Sequence, residues 1–298
     1  MIENKSELKR LIEITAQKTH IQTEYLEKDY YLTVILAKIN DLCADLVFKG
    51  GTCLNKVYFD YHRLSEDLDF SLEFRQPTKT EKKAGISPRK VVLKKIETDM
   101  PSFVEQFQLK FVELTKRDGS RQHNYVFEYT PIFASNKIKP TIKFEIRSRG
   151  NNIILRPETR EVKHKFLNPF SNEPVFEFPK VKVYALKELL ADKLAACINR
   201  HAPRDFYDIN FAVENKFTFN DKEFIDLFKA KLKDDGNDTD IKKYAKNLGL
   251  TQEIIKSVQE KVQPELYPVL NLSEQKKFDL SGALNKINLI FEKMAQKS

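Results

Sequence analysis

The chain runs Lys49-Gly50-Gly51-Thr52-Cys53-Leu54-Asn55-Lys56 and, a few residues later, Arg63-Leu64-Ser65-Glu66-Asp67-Leu68-Asp69-Phe70. Asp45-Leu46-Val47-Phe48 before it reads as a short apolar strand. Gly50 and Gly51 let the backbone turn sharply and leave room beside it for a bulky anion. Thr52 reads as the N-cap of a helix through Leu54 and Val57, and the N–H groups of such a helix start attract phosphate. Asp67 and Asp69 alternate on a second strand and share one face, while Leu68, Phe70 and Leu72 take the other and enter the core. Two carboxylates beside a phosphate-binding turn form a site for Mg²⁺ and a nucleoside triphosphate. Alone, a Gly-Gly pair is an ordinary turn and an Asp-x-Asp an ordinary solvated strand face. The specificity lies in the two together, in this order.

In these motifs the chain resembles the nucleotidyltransferase superfamily, with its glycine turn followed by Asp-x-Asp/Glu. More narrowly it resembles the AbiEii/AbiGii-type toxin family, through Lys49-Gly50-Gly51-Thr52, the Arg-x-Ser-x-Asp-x-Asp block from Arg63 to Asp69, and Arg204-Asp205-Phe206-Tyr207-Asp208. Thr52 stands where the wider superfamily often has Ser, and fourteen residues (53 to 66) separate it from Asp67. The resemblance implies an α+β fold: a polymerase-beta-like core with a mixed, twisted sheet, followed by a helical domain. It implies an Mg²⁺-dependent enzyme that moves a nucleoside monophosphate from a nucleoside triphosphate to an acceptor hydroxyl. The acceptor is expected to be RNA, with tRNA favoured. The implied biological role is that of the toxin of a type IV toxin–antitoxin or phage-defence pair. Its antitoxin would be separately encoded and need not touch this chain. Lys49 and Ser65 are active-site positions on this reading, although Ser65 serves equally well as a turn residue.

Composition sets the frame. At 298 residues the chain holds one large domain or two modest ones, and 41% hydrophobic residues suffice for a core. Twenty-two Phe and eleven Tyr without Trp predict an aromatic interior. The amino terminus lacks the apolar run of a signal peptide, and no segment approaches the roughly 18 apolar residues of a membrane span. Cys43, Cys53 and Cys197 are odd in number and far apart, matching no zinc spacing or disulfide framework. A reducing cytoplasmic setting is expected. The net charge of +8 is uneven. Residues 79–95 and 137–165 each carry a local balance of +6, whereas 221–298 carry +1. Positive charge thus gathers in the half with the Asp-x-Asp strand, which suits a nucleotide or nucleic acid; a plain lysine-rich solvated face is the alternative.

Helical spacing predicts helices over 6–18, 24–41 and 79–99, the last broken or started by Pro88. Strands are predicted over Gln108–Thr115, Tyr125–Thr130 and Thr141–Arg147. The irregular stretch from Pro157 to Pro179 reads as the domain junction, dividing a core of residues 1–165 from a mainly helical domain of 166–298 that contributes to the active-site cleft. Beyond Ala185 helices are predicted over 185–199, 204–215, 221–234, 239–247, 251–261 and 282–297.

Glu145, on the polar face of its strand, is the candidate third carboxylate, able to ligate a metal or activate the attacking hydroxyl. A salt bridge to a neighbouring Lys or Arg across the sheet is the alternative. Lys193 falls amid the helical stripe Leu186, Leu189, Leu190 and Cys197, so it needs an anionic partner. By resemblance that partner is the triphosphate or the catalytic acids; otherwise it is Asp205 or Asp208. Lys193→Met is expected to spare the fold and remove activity. Lys187 lies off the stripe but could reach the nucleotide. Asp205 and Asp208 are neighbours at a helix start, and the resemblance makes Asp208 the catalytic contributor. The five His are read as non-catalytic. Two other functions compete: a nucleotidyltransferase that modifies protein or a small molecule, and a non-catalytic nucleotide or RNA binder. The intact Asp67, Asp69 and Lys193 argue against the second.

Overall fold

A computed structural model describes residue 2 and residues 4–133, 140–149 and 153–297. The chain divides into two compact units, Met1–Tyr184 and Ala185–Ser298.

The first unit begins with helices α1 (Lys5–Thr19), α2 (Thr23–Ala37) and the short α3 (Ile39–Leu42). Strand β1 (Leu46–Lys49) runs into α4 (Gly50–Cys53), which continues as a π-helical turn over Leu54–Tyr58. Strand β2 (Asp67–Leu72) follows. Next come α5 (Lys79–Lys83) and α6 (Pro88–Glu105), with Pro88 opening the latter as sterics favour. Strands β3 (Lys110–Arg117), β4 (Gln122–Glu128), β5 (Thr141–Arg147), β6 (Glu158–Glu161) and β7 (Lys180–Val183) complete the unit. The described strands form one mixed sheet in the order β3-β4-β5-β2-β1-β7-β6. β2 runs antiparallel to β1 and parallel to β5, with Asp69 in register with Lys49 on one side and Glu145 on the other.

Side-chain alternation decides which face is buried. On β4 and β5, His123, Tyr125, Phe127, Ile142, Phe144 and Ile146 are buried, and the residues between them are not. Phe70 packs with tilted rings against Phe48 and Phe144, centroids 5.4 and 4.8 Å away. Burying a side chain of that size stabilises a fold by roughly 1.5–3 kcal/mol. α6 contributes the buried residues Leu93, Ile96, Met100 and Val104. The segment from Pro157 to Pro179 lies inside this unit, because it contains β6, runs into β7, and its Phe166 packs edge-on against Tyr30 of α2, 5.8 Å between centroids.

The second unit is helical: α7 (Leu186–Asn199), α8 (Pro203–Glu214), α9 (Lys222–Asp234), α10 (Gln252–Lys261), α11 (Leu272–Lys277) and α12 (Leu280–Ala295), with 3-10 turns at Ile241–Tyr244 and Asn247–Gly249. Asp221 and Asp279 cap α9 and α12 through their carboxylates. Lys231 of α9 bonds Glu188 (2.7 Å) and Asp192 (3.1 Å) of α7, a buried lysine with anionic partners on the neighbouring helix. Among the described residues no helix is long and apolar enough to cross a membrane.

Candidate active site

The two glycines open α4 for a steric reason. Gly50 sits at φ +77°, where an L side chain is strained. A Cβ there would lie 2.2 Å from Asp69 Oδ2 and 2.9 Å from Asp69 Cγ. The Asp69 carboxylate therefore occupies the space a side chain would take. A Cβ on Gly51 would come within 2.5 Å of Arg63 Nη2 and 3.2 Å of Ser65 Oγ. The glycine turn is thus clasped by the segment leading into β2, with Asp69 on one glycine and Arg63 and Ser65 on the other.

Thr52 is not the N-cap. α4 starts two residues earlier, at Gly50, with Lys49 in the cap position and no side-chain cap bond. Thr52 is buried, and its Oγ1 is hydrogen-bonded to the Asp67 carbonyl oxygen (2.5 Å) and to Ser65 Oγ (2.8 Å). It ties the helix start to the first residue of β2. Lys49, at the end of β1, lies 5.7 Å from the Tyr184 ring centroid.

Asp67 and Asp69 share the half-exposed face of β2. Glu145 stands on that face too, in register with Asp69. Its oxygens are engaged: Oε1 accepts from Arg147 Nε (2.6 Å) and Oε2 from Gln122 Nε2 (2.7 Å). Among the described residues no group of three or more His, Cys, Asp or Glu is set to hold a metal ion. What remains is a pair of carboxylates against a glycine turn, a donor set that fits Mg²⁺, which takes one or two protein carboxylates and completes its shell with substrate phosphates and water.

A buried network lies behind the turn. Lys56, fully buried, reaches Asp29 Oδ1 (2.6 Å), Thr33 Oγ1 (2.9 Å) and Tyr61 OH (2.7 Å), and Tyr61 OH donates to Asp29 Oδ2 (2.7 Å). Burial pushes the Lys56 ammonium pKa down and Asp29 opposes this. The network anchors the π-helical turn to α2. Sequence reasoning missed it, though Lys56 follows Thr52 by four residues and so falls on the same buried side. Arg63 was also missed as a site residue although it stands in the motif itself; it is buried, with Nη1 donating to Leu64 O (2.8 Å).

In the second unit Lys193 bridges Asp205 (2.6 Å) and Asp208 (3.0 Å) of α8. Asp208 is fully buried and Asp205 nearly so. This overturns the expectation that Lys193→Met would leave stability intact, because two buried carboxylates would lose their cation. Lys187 pairs with Asp221 (3.3 Å) and with Glu223 at the start of α9. Cys53 and Cys197 are buried free thiols whose pKa values burial raises well above the ordinary value, and Cys43 is also free. His62, His123 and His164 are buried.

A strand, a glycine turn and a helix, then a strand with two carboxylates on one mixed sheet, define a nucleotidyltransferase fold. A family model described as the nucleotidyl transferase AbiEii toxin of type IV toxin–antitoxin systems matches residues 34–281, and the chain belongs to that family. Among solved structures, MenT4, a nucleotidyltransferase toxin from Mycobacterium tuberculosis, is 20% identical with a TM-score of 0.53, covering 95% of this chain and 99% of its own. JHP933 from Helicobacter pylori is 18% identical with a TM-score of 0.51, covering 93% of this chain and 94% of its own. At these identities the two structures speak for the fold. No curated protein matches the chain. The protein is a nucleotidyltransferase toxin, and its family implies a nucleotide substrate and a separate antitoxin.

Proposed function

We propose that the protein transfers a nucleoside monophosphate from a nucleoside triphosphate to a hydroxyl of RNA, with tRNA the favoured acceptor, in an Mg²⁺-dependent reaction. The observation that carries this is the packing of the Asp69 carboxylate onto Gly50, which sets Asp69 at the mouth of the glycine turn with Asp67 on the same face of β2. Gly50, Gly51 and Thr52 offer backbone N–H groups to the phosphates, with Lys49 adding a positive charge beside them. Asp67 and Asp69 are the proposed metal ligands. Mg²⁺, when bound, neutralises charge on the phosphoryl oxygens. The acceptor oxygen forms a bond to the α-phosphorus as that phosphorus loses its bond to the bridging oxygen. Pyrophosphate leaves with the bonding electrons, and a carboxylate of this face takes the hydroxyl proton.

Glu145 stands beside Asp69 as the third carboxylate, and its bonds to Arg147 and Gln122 let it orient both. Ser65, hydrogen-bonded to Thr52, holds the glycine turn to β2. For the helical unit, Lys193 and Asp208 are proposed catalytic residues, and Lys187 a nucleotide contact, on the strength of the family blocks they occupy. RNA is preferred over protein as acceptor because the first unit carries the excess positive charge. A role in phage defence and a cytoplasmic location belong to the same reading. The test is incubation with each nucleoside triphosphate labelled at the α-phosphate, Mg²⁺ and total RNA. Label on RNA that EDTA abolishes supports the reading; label only on protein refutes the RNA acceptor.

A further inference from the structure

The open face of β3, β4 and β5 continues outward from the carboxylates. Strand register gives one row as Thr115, Asn124, Glu145, Asp69 and the next as Arg117, Gln122, Arg147, Ser71. The hydrogen bonds of Gln122 Nε2 to Glu145 Oε2 (2.7 Å) and Asn124 Oδ1 (3.3 Å) confirm that these side chains share a face. The opposite face turns towards α6: Lys116 and the buried His123 reach Glu97 of that helix.

Arginines gather at the end of this face. Arg117 and Arg121 flank the β3–β4 turn, Arg147 and Arg149 close β5, and Arg89 of α6 reaches the turn from behind. Arg89 Nη1 donates to Ser120 O (2.9 Å) and Ser148 Oγ (3.1 Å), and Ser148 N donates to Arg121 O (2.7 Å). Two carboxylates oppose the five cations. Glu145 holds Arg147, and Asp118 accepts from Arg149 Nε (2.8 Å). The Asp118 carboxyl is held below its ordinary range first by that bond, with Arg121 and Arg147 adding their fields. Arg117 and Arg121 are exposed and make no ion pair among the described residues. With Arg89 held behind the turn, the excess left for the face is two positive charges, on guanidinium forks suited to phosphate oxygens.

We propose that this arginine-edged face of β3, β4 and β5 is the acceptor platform, on which the phosphodiester backbone of a single RNA strand lies so that its hydroxyl meets Asp67 and Asp69. The proposal rests on the RNA-acceptor reading above. From strand rise and spacing, Arg117 stands about 15 Å from Asp69 across the sheet, so the contact acts on nucleotides beyond the reacting one. Lys137 and Lys139, basic residues of the same half, lie outside the described residues.

The test uses the full chain and a short, labelled single-stranded oligouridylate. R117A/R121A should raise its Kd about tenfold or more and lower the salt slope of log K by about 1.4, as expected for two phosphate contacts on a single strand. KM for RNA should rise while KM for the nucleoside triphosphate stays. K9A/K180A, which removes two exposed lysines elsewhere in the unit, should change neither Kd nor slope appreciably. Equal binding and equal slope in R117A/R121A and K9A/K180A would overturn the platform while transfer to RNA stood. Label from wild-type protein appearing on polypeptide alone would overturn the platform together with the reading on which it rests.

Discussion

Gly50→Ala tests how the site is built. Gly50 has φ +77°, a region that costs an L residue roughly 1–2 kcal/mol. The new Cβ would lie 2.2 Å from Asp69 Oδ2, with Cγ and Cβ of the same aspartate at 2.9 and 3.0 Å. Ordinary contact begins near 3.4 Å, so the carboxylate must retreat by about an ångström, or the backbone of α4 must lift away. Backbone strain alone predicts a melting temperature lower by about 2–8 °C for a unit of this size. A misplacement of about 1 Å is enough for roughly a 100-fold loss of rate. Circular-dichroism melting and initial transfer rates under saturating Mg²⁺ would measure both. Gly51→Ala should be milder in stability, because Gly51 has no positive φ and its Cβ meets the far end of the Arg63 side chain rather than backbone. A Gly50→Ala protein with wild-type rate and melting temperature would show that Asp69 does not depend on the turn.

Two further perturbations follow from buried charge. Lys193→Met should destabilise the second unit by about 3–5 kcal/mol, since it strands Asp205 and Asp208; adding D205N and D208N should recover most of that in a urea titration. Loss of transfer that persisted in the refolded triple variant would assign these residues to catalysis, whereas full recovery of transfer would make the cluster structural. Burial holds the His164 imidazole down to about 4 from an ordinary 6.5, with Nε2 bonded to Phe176 O (2.8 Å). The unfolded chain therefore takes up a proton that the folded chain refuses as pH falls from 6.5 towards 4. Stability is full above that window and declines within it, by on the order of 2–3 kcal/mol from this residue. H164Q should flatten the decline between pH 7 and pH 4.5 by that amount; an unchanged slope would remove His164 as its source.

The first unit was legible where pattern and burial coincide. Thr141–Arg147 alternates cleanly and forms β5 over those same residues, and Asp67, Asp69 and Glu145 share the face their spacing implied. β6 was invisible because Glu158-Thr159-Arg160-Glu161 is an edge strand without an apolar residue, so no hydrophobic period marks it. β7 is four residues long and follows a proline-containing stretch, which hid Val181 and Val183. The N-cap reading of Thr52 failed because the glycines, read as a turn before a helix, are themselves helical; what admits them is the side-chain space they leave to Asp69 and Arg63. The partner of Lys193 was one of two alternatives, and only the fold shows it paired with Asp205 and Asp208. The Lys56–Asp29–Tyr61 network depends on contacts between distant segments, which local spacing does not encode.

The most direct measurement is transfer of α-phosphate label from a nucleoside triphosphate to RNA by wild-type protein and by the D67A/D69A variant, side by side, with and without EDTA. Both aspartates are half-exposed on the polar side of β2, so the double variant should melt close to wild type. The account predicts label on RNA with wild-type protein and Mg²⁺, and none with EDTA or with the variant. A folded D67A/D69A protein that transfers label at the wild-type rate would contradict it.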